Sequence, residues 1–171
     1  MRFFLRRTAA IVVSAIAFSN DVNAVERSIP LEKLPNAVTD AVKKMYPKVE
    51  MLKASQEDED GEIEYEVTAR ESGKQIEITV EANGEIEELE KEIDLKDLPK
   101  AVTDALEKKY PNAVRKSAEA VFEIEDGKEE LEFYEVQLKT SNSQNSEVKV
   151  KADGTIISKP DEEDGKAEPN K

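Results

Sequence analysis

Two segments of the chain, residues 34–47 and 98–111, carry apolar residues at the spacing of an amphipathic helix. In the first segment, positions i, i+4, i+7, i+8 and i+11 are Leu34, Val38, Ala41, Val42 and Met45. The second repeats this stripe with Leu98, Val102, Ala105 and Leu106. Such residues share one helical face, and the Tyr-Pro pair that closes each segment ends a helix, because proline pushes the preceding residue out of the α region. The pattern therefore predicts two helices of about three turns.

A period of two replaces the helical spacing after the first segment, which is typical of half-buried strands. The alternating apolar residues are Ile63, Tyr65 and Val67, followed by Ile76, Ile78 and Val80. The residues between them are mostly glutamate, so one face of the predicted sheet is apolar and the other acidic. Gly73 and the pair Asn83-Gly84 mark turns. Further strands are predicted around residues 49–54 and 86–89.

The second half of the chain repeats these landmarks in the same order. The two helical segments are identical at ten of fourteen positions. In both halves an EDG turn, a YEV strand and an alternating strand ending at ANG or ADG follow, and the offset grows from 64 residues at the helix to 70 at the last glycine. Insertions confined to loops are expected of repeats of one structural unit. We therefore interpret the duplicated segment as a duplicated structural part.

The predicted fold class is α+β, with two tandem repeats that each pack one helix on an antiparallel sheet of about four strands. The repeats are assigned to residues 25–93 and 94–159. A unit of this size without disulfides is marginal alone, because it buries only about 60% of its unfolded surface. The repeats are therefore expected to pack together, and one continuous eight-stranded sheet is one such arrangement.

The first 24 residues have the pattern of a secretory signal peptide. Three arginines precede a largely apolar run at residues 8–18, and VNA at residues 22–24 is a small-residue cleavage pattern. A membrane anchor would need roughly 20 apolar residues, and this run is only eleven residues long. The sequence therefore predicts export to the periplasm or the extracellular space, with no stable membrane insertion after cleavage. Residues 160–171 are predicted to be a disordered acidic tail.

Composition narrows the classes of function. There is no histidine and no cysteine, which removes the commonest general base, the thiol nucleophile and most zinc or copper ligands. The chain is therefore predicted not to be an enzyme and to need no cofactor. Signal cleavage would remove three arginines and Asp21 and change the net charge from −14 to −16. Nucleic acid and anionic lipid are poor partners for such a chain, whereas a cationic protein surface or a divalent ion is favoured.

The order of helix, YEV strand and alternating strand closing on an Asn-Gly or Asp-Gly turn resembles the PepSY and PepSY-like modules. The tandem plan is also similar to that of the β-lactamase inhibitory proteins, and the resemblance covers nearly all of residues 31–159. It implies a non-catalytic module that binds another exported protein. Extracellular peptidases are proposed targets of some members, and the inhibitor group clasps an enzyme with the concave face of the sheet. This chain has no tryptophan and lacks the disulfides of the secreted inhibitors.

The outward, acidic face of the predicted sheet is the candidate protein-binding site. Its candidate residues are Glu64, Glu66, Glu77, Thr79, Leu131, Phe133 and Glu135. Leu131 and Phe133 point outward if Tyr65 and Tyr134 are aligned, and there they would form an apolar anchor on a charged face. The alternatives are a β-bulge that turns Phe133 inward, or burial against the other repeat.

A cation site at the acidic turns is the alternative function. Asp58 and Asp60 lie in the first acidic turn, residues 57–61, and Asp126 lies in the second, residues 123–127; carboxylate oxygens are ligands that Ca²⁺ prefers. An EF-hand loop at the first turn would need an acid at Gln56 and a glutamate at Val67, so that motif is not present. A solvated hairpin turn, and for the whole protein a purely structural spacer, are the remaining interpretations.

Overall fold

Nine strands and two helices make up the described part of the chain. The structure is a computed structural model that describes residues 26–59, 62–139 and 145–157. The strands are β1 (Arg27–Ile29), β2 (Glu50–Glu59), β3 (Glu62–Glu71), β4 (Lys74–Glu81), β5 (Ile86–Ile93), β6 (Val114–Glu125), β7 (Lys128–Lys139), β8 (Asn145–Val150) and β9 (Ile156–Ile157). The helices are α1 (Asn36–Met45) and α2 (Lys100–Lys109). The predicted signal peptide and acidic tail lie outside the described residues.

All nine strands form one antiparallel sheet in which neighbours along the chain are neighbours in the sheet. The predicted fold of two repeats, each a helix on its own sheet of about four strands, is therefore wrong. The halves are joined by β5 and β6, which pair from Glu88↔Glu123 to Ile93↔Ala118. Two separate sheets would leave the backbone groups of both strands unpaired at an edge. The expectation of a continuous sheet is confirmed in part, and the additional strand is β1, which pairs with β2.

Both helices pack on the same face of this sheet, and their predicted apolar stripes are the core. Val38 and Val42 of α1 are buried in a cluster with Val67, Ile78, Val80 and Leu89. Val102 and Leu106 of α2 are buried in a second cluster with Val136, Leu138, Val148 and Val150. Leu89 of the first cluster and Ile93, which packs against the second, are four residues apart on β5. Because side chains alternate along a strand, the two clusters share one face.

Each helix begins directly after a proline and ends at a tyrosine. Pro35 and Pro99 have extended backbone angles, and the helical conformation starts at the next residue. At the other end, the backbone N–H groups of Tyr46 and Tyr110 donate to carbonyls of the last turn at 2.8 Å. The residue after each tyrosine is proline, which cannot continue the helix. The repeated sequence therefore gives two helices of ten residues each.

A group of four side chains on the helix side links the two halves. Tyr46, at the end of α1, donates its hydroxyl hydrogen bond to Glu129 Oε1 on β7 at 3.1 Å. Lys91 Nζ on β5 lies 2.6 Å from the other oxygen of Glu129 and 4.8 Å from the centre of the Phe122 ring. The first helix is thus bonded to a strand from the second half, as expected of one continuous unit.

Candidate functional site

The face of the sheet opposite the helices, called the helix-free face from here on, is lined by side chains that alternate with the core residues. One row across the strands is Ser55, Glu66, Thr79 and Glu88. The next row is Glu77, Glu90, Val121 and Phe133. A third row is Glu92, Glu119, Glu135 and Lys149. Glutamate dominates the face, as the alternating pattern predicted.

Five of the residues predicted for protein binding lie on the helix-free face. They are Glu64, Glu66, Glu77, Thr79 and Glu135. Glu66 on β3 faces Thr79 on β4, and Glu77 is close enough to Glu135 of β7 for their repulsion to affect its pKa. The continuous sheet therefore brings the acidic rows of both halves onto one surface. Protein binding by these residues stays a prediction.

The expected apolar pair of Leu131 and Phe133 is split by a β-bulge. Val121 pairs with Phe133, but the next residue, Phe122, pairs with Leu131, so Glu132 is an extra residue in β7. Leu131 consequently shares the side of Phe122, towards the helices, and is 40% exposed. Phe133 stays on the helix-free face but is only 9% exposed. The prediction that both residues stand outward together is wrong, because one inserted residue inverts the alternation.

The aspartates of the alternative cation site do not come together. Asp58 lies on β2, and Asp126 lies in the turn between β6 and β7 with a φ of 52°. Four strand spacings separate them, which is about 19 Å at 4.8 Å per strand. They cannot share one ion, and Asp60 lies outside the described residues. Whether a single turn binds an ion stays a prediction.

Three glutamates from three neighbouring strands meet near the centre of the helix-free face. Glu90, Glu119 and Glu135 each direct a carboxylate oxygen to within 4.8 Å of the others. Glu90 is 5% exposed and Glu135 is 2% exposed. We call these three residues the glutamate cluster. Sequence reasoning placed Glu135 on this face but missed Glu90 and Glu119, although the alternation of glutamates around Leu89 was a usable signal.

Lys149 on β8 is the cation next to the glutamate cluster. Its ammonium lies 2.7 Å from Glu135 Oε1 and 4.9 Å from the centre of the Phe133 ring, which it covers. Burial by itself lowers the pKa of Lys149, but the bond to Glu135 outweighs it, and the net shift is upward. Lys149 therefore stays charged and compensates one of the three carboxylates.

Burial and mutual repulsion raise the pKa of the carboxyls on this face. Desolvation, followed by the charge of Glu135, raises the pKa of Glu90 to about 9. Desolvation raises the pKa of Glu88 to about 8, with Lys149 opposing and Glu135 adding to the shift. Desolvation and the charge of Glu77 raise the pKa of Glu66 and of Glu119 to about 7. At neutral pH Glu88 and Glu90 therefore hold protons, and carboxyls with pKa values perturbed in this way are typical of functional sites.

Comparison with protein families identifies the chain. The model of a family described as β-lactamase-inhibitor-like, PepSY-like matches it twice, at residues 14–87 and 64–158. The chain belongs to the PepSY-like family. The resemblance inferred from the repeated motifs is thus confirmed, and both matches of the PepSY-like model include strands of the continuous sheet. The boundary between repeats at residues 93 and 94 stays a prediction.

Solved structures similar to this PepSY-like chain come from Bacteroides species. A DUF2874 family protein of Bacteroides uniformis has a TM-score of 0.59, and a protein of Bacteroides eggerthii described as periplasmic has 0.58; each is 17% identical, and each match covers 72% of this chain and 86% of the other. A BLIP-like protein of Bacteroides fragilis has a TM-score of 0.54 at 20% identity, covering 72% and 84%. At these identities the likeness shows the fold alone. No curated protein matches the sequence significantly.

The helices were also compared with the requirements of a membrane span. Neither helix in the described part of the chain has the length and apolar character needed to cross a membrane.

Proposed function

We propose that this PepSY-like chain is an exported, non-catalytic protein of the cell envelope whose helix-free face binds a basic surface of another exported protein. The inhibitor-like description of its family supports a binding role over catalysis. The likeness to a protein described as periplasmic and to a BLIP-like protein supports the same compartment and a protein partner. Envelope peptidases are the partner class to test first, because the PepSY resemblance implies them.

The desolvated carboxylates of the helix-free face carry this proposal. Glu66 and Glu77 are partly buried side by side, and burial raises the pKa of both. Among the described residues, the hydrogen bond that Gln75 donates to Glu77 is the one that these two carboxylates receive. A lysine or arginine brought by a partner would supply further, charge-assisted hydrogen bonds. Thr79 adds a hydroxyl between the acidic rows. Such a surface favours a basic partner and a fast, salt-sensitive association.

Capture from an envelope extract by the immobilised protein tests the proposal. The double variant Glu66→Gln/Glu77→Gln is expected to reduce the recovered partner at least about tenfold, since each lost charged contact at an interface costs roughly 1–3 kcal/mol. Retention by the unmodified protein should fall as salt rises from 50 to about 500 mM. Quantitative mass spectrometry of the crosslinked eluate measures both effects.

The matched control is Glu32→Gln/Glu107→Gln, which removes the same number of charges from exposed positions on other parts of the molecule. Its capture should equal that of the unmodified protein. If both double variants lose the partner equally, the attraction is a general effect of negative charge, and the helix-free face is not the interface. If the unmodified protein recovers no protein that depends on Glu66 and Glu77, the proposed function is wrong.

A further inference from the structure

The glutamate cluster has the composition of a cation site. Glu90 of β5, Glu119 of β6 and Glu135 of β7 are held by the pairing of three consecutive strands, with Glu119 directly opposite Glu135. Their carboxylate oxygens lie within 4.8 Å of one another. Ca²⁺ binds oxygens at about 2.3–2.6 Å, so one ion between them can reach all three. The fixed backbone of a sheet, unlike a loop, holds the three ligands in place.

Two unsatisfied buried oxygens point to an occupant. Glu90 Oε2 and Glu135 Oε2 are buried and have no hydrogen-bond partner among the described residues, and the two residues are only 5% and 2% exposed. A buried polar atom without a partner is costly, and a buried carboxylate more so. Folded proteins satisfy such groups with protein, water or an ion. These two oxygens therefore show where an additional positive group would be bound.

The charge balance of the cluster favours a divalent ion. Once an ion has displaced their protons, the three carboxylates carry three negative charges, and Lys149, at 2.7 Å from Glu135 Oε1, compensates one of them. Glu88, two residues from Glu90 on the same strand, has a further buried oxygen, Oε1, without a hydrogen-bond partner among the described residues. One divalent cation would compensate the remaining two charges of the cluster. A monovalent ion would leave an uncompensated charge in a desolvated site.

The ligand chemistry selects among divalent ions. Carboxylate oxygens without imidazole or thiolate suit Ca²⁺ or Mg²⁺ rather than zinc or copper, and the chain has no histidine or cysteine. Mg²⁺ demands octahedral geometry at about 2.1 Å and keeps several waters. Val121 and Phe133 pair in the row next to Glu119 and Glu135, and both are buried and apolar, so they offer no hydrogen-bond partner to such waters. Ca²⁺ tolerates irregular carboxylate sets and longer distances.

We propose that Glu90, Glu119 and Glu135 bind one Ca²⁺ ion on the helix-free face. Lys149 is a positioning residue in this site, because it holds Oε1 of Glu135 while Oε2 faces the ion. Water completes the coordination on the open side. The site differs from the acidic turns at Asp58 and Asp126, and it does not depend on the proposed protein partner.

Calorimetric titration with CaCl₂ and thermal melting at pH 8 test the site. We expect one ion per chain and a rise of about 5 °C in melting temperature at a hundredfold excess over the dissociation constant. MgCl₂ at the same concentration should give less than half of this shift. Glu90→Gln and Glu119→Gln should each weaken calcium binding at least tenfold. Both variants should remain folded without calcium, because each removes a repelling charge.

Glu107→Gln is the matched control, since it removes one charge from an exposed position on α2. It should bind calcium like the unmodified protein. An equal calcium shift in Glu107→Gln and Glu90→Gln would show general ion binding to an acidic surface and overturn the site. No shift in the unmodified protein at 10 mM calcium would also overturn it and would mean that the cluster is compensated by protons. Either result leaves the capture experiment, which targets Glu66 and Glu77, unaffected.

Discussion

Alanine at Gly84 or Gly154 is expected to lower the free energy of unfolding by about 3 kcal/mol. Both glycines have positive φ angles, 90° and 89°, where a side chain costs about 1–2 kcal/mol. A Cβ at Gly84 would lie 2.8 Å from the carbonyl oxygen of Ala37 in α1, and one at Gly154 would lie 2.7 Å from that of Ala101 in α2. These are backbone atoms, so the helix itself would have to move from the core, at a further cost of about 1–3 kcal/mol.

Gly73→Ala separates the cost of the positive φ angle from the cost of the contact with the helix backbone. Gly73 has a φ of 89°, but nothing lies within 4 Å of its virtual Cβ. Its substitution should therefore cost only the backbone term of about 1–2 kcal/mol. Urea denaturation followed by circular dichroism gives the midpoints, and the slopes should agree among the variants. If Gly73→Ala and Gly84→Ala are equally destabilised, the first turn of α1 does not pack against Gly84 as closely as the structure indicates.

Features determined by local pattern were predictable from the sequence. The spacing of Val38 and Val42 identified the buried face of α1, and the alternation around Tyr65 identified the two faces of β3. The Asn83-Gly84 turn was predicted as well, and its repeat at Asp153-Gly154 has the same geometry, with the Asn83 and Asp153 side chains accepting from the backbone N–H two residues later. In each case residues within a few positions of one another decide the conformation.

Features determined by pairing between distant segments were not predictable. The joining of β5 to β6 depends on which strand edges meet, and neither segment carries a pattern that specifies this partner. A continuous sheet was one expectation, but the strands and the register that join its halves were not specified, so Glu90 was not placed between Glu77 and Val121, where it is buried. The position of Leu131 was also not predictable, because the extra residue Glu132 forms a bulge, and a bulge changes the face of every residue beyond it. The candidate ion site therefore became visible only when three strands were placed side by side.

In the presence of EGTA, stability is expected to fall as the pH rises from 5 to 9. The carboxyls with raised pKa are Glu66, Glu77, Glu87, Glu88, Glu90 and Glu119, and desolvation is the largest cause for each. The charged groups that face them are Glu26, Lys53, Glu57, Glu64, Glu81, Glu92, Glu132, Glu135, Glu147 and Lys149. The pKa of each of these carboxyls is higher in the folded state than the unfolded value of 4.5. The folded state therefore binds more protons than the unfolded state across this pH range.

The direction of the pH dependence follows from this difference in the number of bound protons. Stability is fully present below about pH 4.5 and is lost as the pH passes about 7 for Glu66 and Glu119, about 8 for Glu88 and about 9 for Glu90. One pKa unit corresponds to about 1.4 kcal/mol, but these groups are partly exposed and interact with one another, so the summed shifts must be discounted for solvent screening. A loss on the order of 5 kcal/mol and about 10 °C in melting temperature is expected. A protein stabilised by ionised carboxylates has the opposite pH dependence, because its stability falls as the pH is lowered.

Glu90→Gln should raise the melting temperature at pH 8 and flatten its decline with pH, because glutamine fills the same space without a group that must take up a proton on folding. Glu107→Gln, exposed on α2, should keep the unmodified slope. Scanning calorimetry of the three proteins at half-unit pH steps measures the difference. A melting temperature that is constant or rises between pH 5 and pH 9 would mean that the helix-free face hydrates its carboxylates. Its glutamates would then be ordinary solvated side chains, with no desolvated charge for a partner or an ion to compensate.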